Sequence, residues 1–150
     1  MGIALALHVL ASTIWVGGMF FAYMALRPVA ADLLEPPLRL RLWSRVFRRF
    51  FPWVWLSVLL LLASGFWMLF AVYRGMGGVG GHVHLMLLLG LVMSAIFAYI
   101  WFWPYTGLRA AVAAEDWPTG AARLATIRRL IATNLTLGLL VIAIAILGKY

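Results

Sequence analysis

Three histidines carry the metal and cofactor chemistry that this chain can offer. His8 sits inside the first apolar block, and His82 and His84 sit two apart in GMGGVGGHVHLMLLLG, residues 75–90, where a glycine-rich stretch runs into a second long apolar block. Imidazole nitrogen suits haem iron, copper and zinc. Zinc would want carboxylate or thiolate partners. The chain has no cysteine, and its four acidic residues, Asp32, Glu35, Glu115 and Asp116, all fall in loops away from the histidines. Haem iron needs at most two axial protein ligands and an apolar cavity. Copper(I) accepts histidine with thioether, and Met19, Met76 and Met86 are at hand. The lack of cysteine also removes disulfides and thiol nucleophiles. The serines and threonines of the apolar blocks have no acid–base partner, and no phosphate-binding loop is recognisable.

Whether the histidines converge depends on the elements that carry them. The 150 residues are 66% hydrophobic, with mean hydropathy +1.04, more apolar surface than a water-soluble domain of this length buries. Four blocks, at about residues 2–26, 52–73, 82–103 and 130–148, are each near the 20 or so residues that a helix needs to cross a bilayer. Lipid offers the backbone no hydrogen-bond partners, so the spans must be helices. The expected fold is all-α: one integral-membrane four-helix bundle over residues 1–150, in the inner (plasma) membrane. The first block lacks a basic leader and is long enough to span, so it reads as a retained transmembrane helix rather than a signal peptide.

Arginine sets the expected direction. The first loop holds Arg27, Arg39, Arg41, Arg45, Arg48 and Arg49, and the third holds Arg109, Arg123, Arg128 and Arg129, against Arg74 alone in the second and Lys149 at the C-terminus. The positive-inside rule places loops one and three in the cytoplasm and both termini on the outer, periplasmic side. The net charge of +8 therefore reads as membrane orientation and lipid contact, with no nucleic acid as partner. PPLRLRLWSRVFRRFF in the first loop has its arginines at helical spacing, with Leu42, Val46 and Phe50 on another face, and reads as an amphipathic helix lying in the interface. Trp53, Trp55, Trp101 and Trp103 fit an aromatic belt on that side. Loop three reads as a short helical piece, a turn at Trp117-Pro118-Thr119-Gly120 and a basic entry to the fourth span.

This topology puts all three histidines in the outer half of the bilayer, His8 about 9 Å below the helix end. His8, Ser12, Trp15 and Met19 form one stripe that should face the bundle interior. His82 and His84 point about 200° apart on a helix, so only one faces inward. The deeper His84 is the expected partner of His8, with His82 in the extended entry or turned to water. Asn134, the only amide side chain in the protein, reads with Thr133 and Thr136 as interhelical glue. Gly17-Gly18 and Gly138 would allow close helix approach or a flat cofactor against the backbone.

LHVLASTIWVGGMFF resembles the first helix of the CopD-type copper-export membrane proteins and of the related HemJ-type protoporphyrinogen oxidases. GGHVHLMLLLGLV and IRRLIATNLTLGLLVI are similar to the openings of the HemJ-type third and fourth helices, so the likeness covers nearly the whole chain. The resemblance puts the family's first-helix histidine on His8, its third-helix histidine on His82, and its lysine, implicated in haem binding or catalysis, on His84. A histidine there turns the resemblance away from protoporphyrinogen oxidation and towards bis-histidine haem ligation. The leading expectation is a haem b protein held by His8 and His84, with Trp15 beside the cofactor and Arg74 pairing a propionate, in electron transfer or porphyrin redox chemistry. The alternatives are CopD-type copper handling by the same histidines with methionine, and a non-catalytic subunit of a larger redox complex or homo-oligomer.

Overall fold

The computed structural model describes residues 1–148, and among these there is helix and no strand. Four helical rods, Gly2–Leu33, Pro36–Val72, Gly81–Ala113 and Trp117–Leu147, are each long and apolar enough to cross a membrane. Four crossings return the chain to the side it started from. Within the rods lie α1 (Gly2–Phe21), α2 (Arg27–Leu33), α3 (Pro36–Trp67), α4 (Gly81–Phe102), α5 (Pro104–Ala113) and α6 (Trp117–Leu147). Two π-helical turns interrupt the register, Ala22–Leu26 between α1 and α2 and Met68–Val72 after α3.

Two helices start earlier than hydropathy implies. The arginine-rich stretch of the first loop is the opening of α3, and no break separates it from the second span. It buries Leu40, Trp43 and Phe47, a different face from Leu42, Val46 and Phe50, which are half-buried. Trp117-Pro118-Thr119-Gly120 is likewise the first turn of α6 rather than a free turn. Asp116 caps it, its Oδ1 accepting from the Thr119 backbone N–H at 3.3 Å, and Pro118 occupies the first turn, where a missing N–H costs nothing. The chain reverses just before, at Glu115 with φ 53°. Hydropathy marks where lipid begins, whereas proline and the cap mark where the helix begins. A 31-residue helix is about 46 Å long against about 30 Å of hydrocarbon. The rod is therefore longer than the apolar layer is thick.

The rods pack in a ring: α1 against α3, α4 against α6, and α6 also against α1, α3 and α5. The α1 and α4 backbones are diagonal to one another, and they meet through side chains at the centre, Trp15 edge-on to Phe97 at 6.3 Å. Of the stripe His8, Ser12, Trp15 and Met19, Trp15 and Met19 are buried and His8 and Ser12 half-buried, and the buried face of α1 is completed by Ala11 and Val16. Below them Phe47, Phe51, Phe97, Trp101 and Tyr105 form a continuous aromatic cluster. Trp55 joins it edge-on to Trp101, while Trp53 and Trp103 face outward, so only part of the expected aromatic belt points away from the bundle. The arginine-rich end is tied by Arg41, which donates to Glu115 at 3.1 Å and lies over the Trp117 ring.

Glycines set the closest approaches. A Cβ on Gly138 would meet Val16 at 2.8 Å and Met93 at 3.2 Å, and one on Gly18 would collide with the Phe50 ring, whereas Gly17 faces open space. Beside Gly138, Asn134 is buried and donates from Nδ2 to the Met93 carbonyl at 3.1 Å, linking α6 to α4.

Candidate functional site

His8 lies two turns into α1, half-buried against α3. Its Nδ1 is 2.8 Å from the Ser64 hydroxyl oxygen, and the bare Cα of Gly65 leaves room for the ring, since a Cβ there would sit 3.5 Å from His8 Cε1. The Ser64 hydroxyl donates its one proton to the Leu60 carbonyl of its own helix. It is then an acceptor towards His8, which fixes the imidazole proton on Nδ1 and leaves Nε2 with a free lone pair. This is the arrangement in which a ligating histidine is oriented by a hydrogen bond to its other nitrogen.

The two histidines of α4 differ. His84 is exposed, and its Nδ1 is 3.2 Å from the Gly80 carbonyl. A carbonyl only accepts, so here too Nδ1 is the donor. His82 is half-buried, packed against Gly80 and against Gly148 at the end of α6, where a Cβ would stand 2.5 Å from its ring. The inward and outward positions are thus reversed relative to the helical-wheel expectation, because α6 extends to cover position 82. Met86, one turn on, shares the face of His82 and is also half-buried.

The fold brings His8, His82 and His84 to one end of the bundle, but through different neighbours: His8 on the α1–α3 side, His82 on the α4–α6 side. Among the described residues no group of three histidine, cysteine or acidic side chains gathers around one point. Trp15 is 3% exposed and packed on Phe97, inside the core. Arg74 lies exposed in the connecting loop with φ 58°, a left-handed conformation that non-glycine residues rarely take. Sequence reasoning missed Ser64. The only signal was a hydroxyl in an apolar helix, which by itself satisfies its own backbone.

The model of the copper resistance protein D family matches residues 44–147, more than half of the chain. The chain belongs to that family. The match runs from the arginine-rich opening of α3 through α6 and includes His82 and His84, while α1 with His8 precedes it. No curated protein and no solved structure matches the chain. Family and four spans together make this a multi-pass inner-membrane protein of copper-resistance type.

Proposed function

We propose that the protein handles copper within the membrane as cargo, with His8 Nε2 on the α1–α3 side as one ligand position and an α4 imidazole with the Met86 thioether as a second, separate one. The supporting observation is the Ser64–His8 hydrogen bond, which fixes a bare nitrogen inside a span. An ionisable group at that depth is costly and marks a site. Copper(I) accepts this nitrogen-and-thioether set without carboxylate or thiolate. The arginine asymmetry supports the periplasmic side for this end, with residues 1–150 proposed as one four-span unit.

A second reading is haem b held by His8 and His84. It is favoured by both imidazoles having Nδ1 engaged, which leaves Nε2 as the nitrogen for axial ligation. Haem would supply one-electron chemistry at the outer face. Trp15, turned into the core, does not line such a site, and Arg74 remains the only arginine near enough in sequence to meet a propionate. Metal analysis and an absorption spectrum of the purified protein test the two together. Copper near one equivalent with no Soret band is the expected result. A Soret band with about one iron per haem replaces copper with the haem reading.

A further inference from the structure

At the arginine-rich end, opposite the histidines, a cavity of about 260 Å³ opens between the end of the first rod and the first turns of α3 and α6. Its walls include the rings of Tyr23 and Trp43 and the side chain of Leu124, and three arginines, Arg27, Arg39 and Arg128, from the first, second and fourth rods. The π-helical turn at Ala22–Leu26 forms part of the wall and swings the residues after it out of the register of α1. Such turns are a common device for shaping a site.

Two of the three charges are held in place, and all three are left unanswered. Arg27 Nε donates to the Tyr23 carbonyl at 3.2 Å, and its guanidinium lies 4.4 Å from the Tyr23 ring centre. Arg39 donates from Nη2 to the carbonyls of Leu34 and Ala31, at 3.0 and 3.2 Å, while its Nε is buried with no partner. Among the described residues the only ion pair is Arg41 with Glu115, so none of the three cavity arginines meets a carboxylate. Three cations, two of them braced and the third exposed, with a spare buried N–H, an apolar and aromatic wall, and a position at the end of the apolar layer match a phosphate that carries acyl chains.

We propose that this cavity binds the phosphate headgroup of an acidic phospholipid, one molecule per chain, with Arg39 Nε and the Arg27 and Arg128 guanidinium groups as donors. The shared chemistry is a phosphate anion, and the apolar wall selects the lipid-borne form over the free ion. The proposal stands apart from the copper chemistry at the other end.

The test is native mass spectrometry of the full-length protein in detergent, titrated with dioctanoyl phosphatidylglycerol, with dioctanoyl phosphatidylcholine, and with inorganic phosphate as competitor. The wild type should hold its first phosphatidylglycerol about tenfold more tightly than phosphatidylcholine, undisturbed by equimolar phosphate. Arg39→Gln should remove most of that preference. Because Arg39 also braces the α2–α3 corner, Arg128→Gln, whose side chain makes no hydrogen bond to the described protein, is the independent variant and should weaken the same lipid several-fold. Arg45→Gln with Arg48→Gln, in the separate groove beside Arg109, should leave it in place. Equal binding of the two lipids, or equal losses in the Arg45/Arg48 and Arg128 variants, overturns the site in favour of diffuse charge. Displacement by equimolar inorganic phosphate overturns the lipid assignment and leaves a soluble anion.

Discussion

At the scale of single residues, the account depends on which nitrogen of an imidazole is free. Ser64 spends its proton on its own helix, so it can only accept from His8. Ser64→Ala should leave the helix intact and remove the group that fixes the ring. Loss of such an outer hydrogen bond typically lowers metal affinity by about tenfold or more. A copper(I) competition titration with a chromophoric chelator reads this directly, and unchanged affinity would show that Ser64 does not orient His8. Asn134 makes a different kind of contribution. Its Nδ2 is bonded to the Met93 carbonyl and its Oδ1 is buried without a partner, so only one of its two polar atoms is satisfied. Asn134→Ala should destabilise the bundle by about 0.6 kcal/mol and no more than about 1.7, measured by reversible detergent unfolding. The expectation of an interhelical tie at Asn134 came from the sequence because a lone amide in an apolar span has few other uses. Its partner, a backbone carbonyl on α4, was not legible, since a backbone acceptor leaves no mark in residue type.

At the scale of elements, the spans were readable and their beginnings were not. Residues 82–103 anticipated α4 closely because there the glycine stretch and the start of the apolar block coincide. For α3 and α6 the helix starts well before the apolar block, with proline in its first turn, and arginine-rich turns that look like loop are the opening turns of the rod. The facing of His82 and His84 was misjudged for a related reason: α6 reaches Gly148 and covers position 82, a tertiary fact absent from the periodicity of α4. Close packing gives a sharper prediction. Gly138→Leu would drive a side chain into Val16 and Met93 where even a Cβ is too close, and should lower stability by about 1–3 kcal/mol. Gly17→Ala, which meets nothing, should be tolerated. Thermal unfolding in detergent compares the pair, and equal losses would mean that α1, α4 and α6 do not meet at Gly138.

At the scale of the whole molecule, the bundle separates two chemistries by charge: imidazole and thioether at one end, guanidinium at the other. The arginine asymmetry predicts that a reporter fused after Tyr150 reads as outside the cytoplasm and one inserted at Glu115 reads as inside; the reverse pattern would move the histidines to the inner face. The class of fold was visible from composition and span count. The grouping of the three histidines at one end followed from the odd and even order of the spans. Their separation onto different helix pairs did not, because it depends on α1 and α4 being diagonal in the ring. The most direct test of copper handling is a copper(I) affinity titration of the wild type beside His8→Ala, His84→Ala and His82→Ala in the intact protein. His8→Ala should lose affinity most, by about tenfold or more, with smaller losses for the α4 histidines. Affinity that survives His8→Ala unchanged would contradict this.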